Sequence, residues 1–450
     1  MDSNIKIVMP EKARHIVNTI RAAGFEAYVV GGCVRDSILG REPQDWDITT
    51  SARPEQVKAL FPRTIDTGLQ HGTVTVMQDR EGFEVTTYRI DGEYEDSRHP
   101  REVTFTPNLE EDLKRRDFTV NAMAYNEEKG LVDIFGGIED IRAGMIRCVG
   151  NPLERFREDA LRILRAIRFS AQLGYHIDEI TEEGIRQLAP TLGNISSERI
   201  QAELVKIMLS AHPDFLRKAY DMGVTKVFLP EFDAAMETEQ RHPHHSYTVG
   251  EHILHSLSGV EDDKVLRLTM LFHDIGKPVT LTTDDQGITH FYEHATVSAE
   301  MAENILRRLK FDNETIGMVS RLVLYHDYGN DVDPDLRILR RAVNKIGEDA
   351  FPALFKVKYA DILAQSEYQR QEKLARLEKW QQLYGEMLAK KQCVSLKSLA
   401  VTGSDLIAAG MSPGKKLGDT LQKLLELVLE DPSCNTKERL LEEAIHMQTT

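Results

Sequence analysis

The residues of this chain that could do chemistry fall into two groups, and the first is built on a pair of aspartates. Asp45 and Asp47 are two residues apart, so on a strand both carboxylates point to the same face. Two clustered carboxylates are costly unless they bind a metal, and oxygen-only ligation suits Mg²⁺. Upstream, an apolar segment ends in Gly31-Gly32, where the backbone can approach a phosphate closely. These features predict metal-assisted phosphoryl transfer with a pyrophosphate leaving group.

Other polar residues extend this predicted site. Arg35 lies one turn into the helical segment after the glycines, and from there it could reach the same anion. Asp117 and Asn121 are four apart at a helix start and could hold a hydroxyl between them. Glu84, on a predicted strand, could approach the aspartate pair as a third carboxylate. An ordinary solvent-facing strand residue is an equally good interpretation of Glu84.

The motifs together resemble the family of class II tRNA nucleotidyltransferases and bacterial poly(A) polymerases. The resemblance runs from VVGGCVRDSILGREPQDWDITTSA through RRDFTVNAMAYN to ERFREDALRILRAIRF. In that family Arg116 contacts the nucleotide, and the pair Arg116-Asp117 helps to recognise the ribose. We predict that Asp45, Asp47 and Glu84 are the catalytic residues, with Mg²⁺ on the two aspartates. The implied nucleotide-binding residues are Gly32, Arg35, Arg116, Asp117, Asn121, Asp159, Arg162, Arg165 and Arg168.

The third of these motifs predicts how the nucleobase is chosen. The apolar spacing over 154–173 predicts one helix, on which Asp159 and Arg162 are neighbours at i, i+3. A carboxylate acceptor beside a guanidinium donor can pair with the amine and ring nitrogen of cytosine, and after a small rotation with those of adenine. A surface salt bridge is the alternative reading of such a pair. Arg165 and Arg168 turn away from Asp159, so we expect them to contact the triphosphate or the tRNA end.

Further stretches resemble parts of the same family. The polar stretch 91–105 is similar to a flexible loop that members able to add the final A possess. SSERIQAEL (196–204) is similar to a bracing helix, for which we predict a Ser196 N-cap and an Arg199–Glu203 pair at i, i+4. The last 50 residues look like the family's tail, which is thought to hold the tRNA elbow.

The second group of chemical residues is a histidine–aspartate cluster. Nine of the 15 histidines lie between His242 and His326, and LFHDIGKP places a His-Asp doublet on an apolar helix. A single buried histidine is usually a satisfied core residue. The order of these residues, however, resembles that of HD-superfamily phosphohydrolases. That resemblance implies transition-metal ions (Mn, Ni, Fe or Zn) that activate water against a phosphate ester. The implied ligands are His252, His273, Asp274, His294, His326 and Asp361.

The elements that must position these residues predict an α+β fold. Strand and helix patterns mix over residues 1–150, whereas the patterns from about 151 onward are almost entirely helical. We predict a small N-terminal nucleotidyltransferase sheet-and-helix head domain, followed by all-α neck, HD and tail domains. The predicted domains are 1–150 (head), 151–235 (helical neck, nucleobase recognition), 236–365 (HD phosphohydrolase) and 366–450 (helical tRNA-binding tail).

Length and composition set limits on this interpretation. The 450 residues exceed one hydrophobic core, and 41% hydrophobic with 28% charged residues indicates a globular rather than a disordered chain. The four cysteines form no CxxC pair and no apolar run could span a bilayer, so we expect a cytoplasmic protein with no membrane partner. The net charge of −16 argues against nucleic acid only weakly, because a local basic groove can still bind phosphates.

The resemblance implies template-independent transfer of CMP, CMP and AMP from CTP and ATP to the tRNA 3′ end, with pyrophosphate release. It also implies phosphohydrolase or 2′,3′-cyclic phosphodiesterase activity at the HD cluster. The expected partners are tRNA, at its 3′ end and elbow, CTP and ATP; these motifs do not define the oligomeric state. A-adding tRNA nucleotidyltransferases and poly(A) polymerases share every catalytic motif and stay as alternatives. An HD signalling phosphohydrolase with a regulatory transferase half is the alternative of another class.

Overall fold

The computed structural model describes residues 5–92 and 103–449, and most of its strands lie in the first 150 residues. The strands are β1 (Ala27–Val30), β2 (Ile48–Thr50), β3 (Thr64–Gly68), β4 (Thr73–Gln78), β5 (Glu81–Thr87), β6 (Arg89–Asp91), β7 (Val103–Phe105), β8 (Met123–Asn126), β9 (Gly130–Asp133), β10 (Met145–Ile146), β11 (His176–Ile177), β12 (Leu281–Thr283) and β13 (Thr289–Phe291). Residues 93–102, in the stretch similar to the family's flexible loop, lie outside the described residues.

Helices make up most of the remainder. They are α1 (Glu11–Ala22), α2 (Gly32–Ile38), α3 (Pro54–Leu60), α4 (Leu109–Lys114), α5 (Gly137–Ala143), α6 (Pro152–Glu158), α7 (Leu161–Leu173), α8 (Glu179–Leu188), α9 (Ser197–Met208), α10 (Leu216–Asp221), α11 (Thr225–Phe228), α12 (Pro230–Glu237), α13 (Val249–Leu257), α14 (Lys264–Phe272), α15 (Lys277–Thr280), α16 (His294–Arg308), α17 (Asn313–Tyr325), α18 (Leu336–Ile346), α19 (Phe351–Ala364), α20 (Arg370–Ala389), α21 (Gly403–Ala408), α22 (Lys415–Glu430) and α23 (Lys437–Thr449). The predicted α+β class, with a sheet first and helices after it, is confirmed. None of the described helices is both long and apolar enough to cross a membrane.

A seven-stranded sheet frames the first site, in the order β3-β4-β5-β2-β1-β8-β9. Its interior strand β1 is an unbroken apolar run with every residue buried, as expected where both faces of a strand are covered. Strand β2 runs parallel to β5 with Ile48 opposite Val85. Asp47 directly precedes Ile48 and Glu84 directly precedes Val85. Because the two strands are parallel, Asp47 and Glu84 therefore lie at the same position along the strand direction.

The single helix predicted over 154–173 is wrong, because the chain breaks between α6 and α7. Asp159 adopts the extended backbone conformation φ −142°, ψ 104°. Its Oδ1 accepts the Leu161 N–H at 3.0 Å, so the side chain satisfies a donor at the start of α7. The apolar residues of α6 and α7 keep a helical spacing across the break. The sequence pattern therefore does not reveal that the helix is interrupted at Asp159.

The chain divides into two compact units, residues 1–230 and 231–450. In the second unit one hydrophobic core runs from Leu322 to Ala444 and takes side chains from α17–α19 as well as from α20–α23. The finer division into four domains stays a prediction.

Candidate active site and candidate metal centre

A glycine turn joins β1 to α2 at the base of the first site. Gly31 has φ +83°, and a Cβ at this position would lie 3.2 Å from Arg116 Nη1. Its N–H donates to the Met123 carbonyl at 3.1 Å, which ties the turn to β8. Glycine is therefore required both by the backbone conformation and by the close approach of the Arg116 guanidinium.

The predicted catalytic carboxylates lie beside this turn. Asp45 and Asp47 precede β2 rather than lying within it, but the Asp47 carbonyl accepts the Val30 N–H at 2.9 Å and continues the pairing with β1. Burial and the neighbouring Asp45 raise the pKa of Asp47, and Arg116 opposes the shift. Burial, Asp47 and Asp45 likewise raise the pKa of Glu84. The three carboxylates therefore repel one another, and a bound cation would relieve that repulsion.

A cleft of about 570 Å³ opens over the aspartate pair. Four basic side chains line it, and two of them, Arg41 and Lys206, were not predicted. Glu84 is not among the lining residues, so it acts on the pair through charge and not from the cleft wall. The lining residues are Gly32, Cys33, Arg35, Asp36, Arg41, Glu42, Gln44, Asp45, Asp47, Arg168, Gln172, Leu173, Lys206, Leu209, Ser210 and Ala211.

A buried hydrogen-bonded chain connects the predicted nucleotide-binding residues. Arg35 donates to both carboxylate oxygens of Asp36 at 2.9 Å and to Asn121 Oδ1 at 2.6 Å. Asn121 and Asp117 contact each other at 3.4 Å, as their spacing predicts, and Arg165 donates twice to Asp117, at 2.8 and 2.5 Å. Burial alone would raise the pKa of Asp117, but Arg165 holds it at about 2.

Three of the predicted nucleotide-binding arginines lie around the ring of Phe169. This phenylalanine was not among the predicted site residues. The guanidinium carbons of Arg35, Arg165 and Arg168 lie 5.1, 5.4 and 3.8 Å from its centroid. Cation–π attraction offsets part of the repulsion between neighbouring cations. The signal in the sequence was the aromatic residue directly after the arginine row in RAIRF.

Asp159 and Arg162 each have a partner other than the one predicted. Asp159 Oδ2 accepts from Arg199 at 2.7 Å. Arg162 donates to Glu158 at 2.5 Å and to the Arg115 carbonyl at 3.0 Å. The Arg162 N–H still donates to the Asp159 carbonyl at 3.0 Å, so the two residues stay neighbours across the break while their side chains pair elsewhere.

The helix α9 is also braced differently from the prediction. Ser196 occupies the N-cap position as predicted, but its side chain makes no capping hydrogen bond. The predicted Arg199–Glu203 pair is replaced by two longer-range pairs, because Glu203 accepts from Arg168 at 2.5 Å while Arg199 holds Asp159. Helix α9 therefore ties down two residues of the nucleotide-binding motif.

Asp112 is a buried residue of the site that sequence reasoning missed. It is fully buried and accepts two hydrogen bonds from Arg115, at 3.0 and 2.8 Å, and one from Thr49 at 3.0 Å. Arg116 Nη2 lies 3.6 Å from its other oxygen. Burial opposes ionisation, yet Arg115 and Arg116 lower the pKa of Asp112. The available signal was its spacing of three and four residues before these arginines.

The structure brings all six residues of the histidine–aspartate cluster together. The four histidines have their Nδ1 atoms beside backbone carbonyls: Ala364 O for His252 (3.3 Å), Met270 O for His273 (2.8 Å), Phe291 O for His294 (2.9 Å) and Val323 O for His326 (2.7 Å). An Nδ1–H donated to a carbonyl leaves Nε2 as the lone-pair nitrogen, which is the arrangement of a metal ligand.

The Nε2 atoms form two triads that share one carboxylate. His252, His273 and Asp274 make the first triad, and Asp274, His294 and His326 the second, with the ligand atoms of each within 4.8 Å of one another. The His252 and His273 Nε2 atoms are only 3.0 Å apart, and Asp361 Oδ1 lies 2.9 Å from His252 Nε2. Facing lone pairs repel each other unless a cation lies between them, so the donor set would suit transition-metal ions, with Asp274 common to both triads.

Asp274 is kept ionised for such a role. Burial would raise its pKa, but Lys277, whose Nζ is 2.7 Å from Oδ2, and the surrounding histidines hold the pKa well below its usual range. A metal-binding carboxylate must be deprotonated, so this environment suits a ligand.

Three family models match separate parts of the chain. They are the poly A polymerase head domain (residues 27–147), the probable RNA and SrmB-binding site of polymerase A (174–236) and the putative tRNA nucleotidyltransferase domain 2 (279–444). The CCA-adding enzyme of Lactobacillus helveticus is 37% identical over 421 residues, which is 93% of this chain and 92% of the relative. That of Enterococcus faecalis is 34% identical over 435 residues, 96% of this chain and 94% of the relative.

Solved structures resemble the fold along nearly the whole chain. The Bacillus stearothermophilus CCA-adding enzyme in complex with CTP superimposes with a TM-score of 0.72 at 29% identity, covering 98% of each chain. The Thermotoga maritima CCA-adding enzyme complexed with tRNA gives a TM-score of 0.62 at 22% identity, covering 98% of this chain and 97% of that one.

Proposed function

The chain belongs to the family of CCA-adding enzymes, and we propose that it completes tRNA 3′ ends by adding CMP, CMP and AMP from CTP and ATP. It is a nucleotidyltransferase, and its family uses divalent metal ions. The observation that carries the proposal is the joint placement of Asp45, Asp47, Arg35 and Arg168 on one cleft above the Gly31 turn. A cytoplasmic location, where tRNA is matured, is part of the same proposal.

In this proposal Asp45 and Asp47 hold Mg²⁺, with Glu84 adding to the negative potential around them. The ion would lower the pKa of the attacking tRNA hydroxyl and neutralise the leaving pyrophosphate. Arg35 and Arg168, at the cleft wall, attract the triphosphate. Arg116, held over the Gly31 turn, contacts the nucleotide, and Asp117 with Asn121 recognises the ribose.

Asp159 and Arg162 choose the base in the same scheme. Each is held by hydrogen bonds before a nucleotide arrives, Asp159 by Arg199 and Arg162 by Glu158. A preformed acceptor and donor lose little side-chain entropy when they pair with cytosine or adenine. Arg165 takes part indirectly, because it fixes Asp117.

The test of the transferase proposal is nucleotide addition to tRNAs that lack one, two or three terminal residues, with CTP or ATP alone. We expect CMP to be added to tRNA lacking all three residues, and AMP only after two C residues. The Asp47→Ala variant should lose nucleotide addition by at least about 10³-fold and keep any hydrolysis of 2′,3′-cyclic nucleotides. Addition of AMP alone would indicate an A-adding enzyme, and long A tails on other RNAs a poly(A) polymerase.

The histidine–aspartate cluster supports a second activity. We propose that it is a phosphohydrolase centre, acting on phosphate esters that include 2′,3′-cyclic ends, with two Mn, Ni, Fe or Zn ions. The shared carboxylate of Asp274 and the 3.0 Å separation of the His252 and His273 Nε2 atoms favour this function over a packed histidine core.

Metal analysis tests this second activity. The His273→Ala variant should bind at least one equivalent less transition metal and lose hydrolysis of 2′,3′-cyclic AMP, while CMP addition to tRNA continues. As a control, His176→Ala replaces an exposed histidine outside the cluster and should change neither property. Unchanged metal content in His273→Ala would refute the centre.

A further inference from the structure

A small cavity lies directly against the histidine–aspartate cluster, with Asp361 in its wall. Its volume is about 110 Å³, and its walls come from α19, α20, His244 and the loop 329–331. Apart from Asp361, which is buried and belongs to the histidine–aspartate cluster, its acidic side chains are less covered than its basic ones. Lys358 is buried and Lys373 and Arg376 are partly buried, whereas Asp331 and Glu372 are exposed. The lining residues are His244, Gly329, Asn330, Asp331, Lys358, Asp361, Ile362, Gln365, Gln369, Glu372, Lys373, Arg376, Leu377 and Trp380.

One buried donor in this wall has no partner. Trp380 is 4% exposed, and its Nε1 makes no hydrogen bond within the described part of the chain. A Cβ at Gly329 would lie 2.9 Å from Trp380 Cζ2 and 3.6 Å from both Cε2 and Cη2, so the benzo edge of the indole, next to the ring nitrogen, faces this glycine, and both residues line the cavity. An orphaned buried N–H costs free energy unless a ligand or water accepts from it.

The cavity offers several donors in a confined space. Lys373 Nζ donates to Gln365 at 2.6 Å and has further N–H groups to offer. Lys358 Nζ, held by Asn330 at 2.6 Å and the His326 carbonyl at 3.1 Å, adds a positive charge. A cavity of about 150 Å³ admits benzene, so this smaller one admits a tetrahedral oxyanion but not a nucleobase.

We propose that this cavity binds a second, non-reacting phosphate of the molecule that the cluster hydrolyses; the inference rests on the phosphohydrolase function. Because Asp361 belongs both to the metal cluster and to the cavity wall, the two phosphates must be close. One ribose between them, as in a nucleoside 3′,5′-bisphosphate, meets that condition. In the reaction a water oxygen forms a bond to phosphorus, the P–O ester bond breaks, and the sugar oxygen leaves with a proton from the water.

The fluorescence of Trp380 tests this inference separately from catalysis. The chain has two tryptophans, so Trp46→Phe leaves Trp380 as the only indole. Metal-free full-length protein in this background would be titrated with adenosine 3′,5′-bisphosphate, adenosine 3′-phosphate and inorganic phosphate. We expect the bisphosphate to change the emission at about a tenfold lower concentration than either comparator, as one additional charge-assisted contact predicts.

Two matched variants complete the experiment. Lys373→Gln should weaken bisphosphate binding about tenfold. Lys379→Gln, on the same helix but paired with Asp333 at the surface, should leave it unchanged. Equal affinities for all three ligands, or equal effects of the two variants, would overturn the second-phosphate site. Hydrolysis of adenosine 3′-phosphate by the metal-loaded wild type is scored separately, because its failure would count against the phosphohydrolase function itself.

Discussion

The charged side chains of the nucleotide cleft are held in fixed pairs that cross between elements. Arg168 and Glu203 are both buried, and Asp117 is buried beside a partly exposed Arg165, so removing the partner leaves a buried charge uncompensated. Loss of one member of a buried pair typically costs about 3–5 kcal/mol. The carboxylates thus orient the arginines in the absence of a ligand. The geometry of the cleft therefore depends on both members of each pair.

Asp117 gives a pH-dependent test of this arrangement. Its folded pKa of about 2 lies below the ordinary 3.8, so the ionised form stabilises the fold at higher pH. This contribution disappears as the pH falls from about 4 to about 2. Urea unfolding across this window should show the free energy of the wild type falling by roughly 2 kcal/mol more than that of Asp117→Asn. Asp66→Asn, at an exposed ion pair, should follow the wild type; identical slopes for all three would contradict the assignment.

At the scale of elements, the break between α6 and α7 decides where the residues that we propose to read the base lie. Asp159 is carried on the break and is fixed from outside by Arg199 of α9. An extended residue between two helices can project its side chain without following the helical face. In the proposed scheme, base choice therefore depends on α9, a helix that contributes no base-reading residue of its own.

Arg199 is the residue that tests this dependence. In Arg199→Met the Asp159 carboxylate loses its charged donor, and we expect the efficiency of CMP addition to fall about tenfold with an altered ratio of CTP to ATP use. Arg186→Met, which removes an exposed i, i+4 pair on α8, serves as the matched variant and should leave both unchanged. If Arg199→Met lowers the melting temperature while the CTP/ATP ratio stays at the wild-type value, α9 is a structural brace only.

The sequence predicted the apolar segment before Gly31-Gly32, which forms β1, and the strand that carries Glu84, which is β5. The strand predicted to carry Asp45 and Asp47 begins only at Ile48. It also predicted which residues meet in the histidine–aspartate cluster, because nine of the 15 histidines lie in one segment of the chain. It did not predict the break at Asp159 or the partners of Arg199 and Glu203. Spacing rules describe neighbours within one helix, whereas these carboxylates find their partners on other elements, where burial strengthens the pair.

At the scale of the whole molecule, charge is distributed unevenly. The chain carries a net charge of −16, yet the cleft over Asp45 and Asp47 has four basic side chains in its wall beside four acidic ones. Basic side chains gathered at one cleft can attract a polyanion even on an acidic protein, because the field is local. Average composition was therefore a poor guide to partners, and the motifs were a better one.

The single core between Leu322 and Ala444 has a consequence for ancestry. Helices that carry His326 and Asp361 pack in the same cluster as α20–α23. A genetic exchange that replaced only residues 236–365 would bring in side chains that do not fit the surface of the helices that follow. Trp380 would then lose its packing partners in this core. We therefore expect residues 231–450 to be inherited as one unit. Lineages that lose the histidine–aspartate cluster should lose it by point substitution of its histidines and aspartates rather than by deletion of residues 236–365.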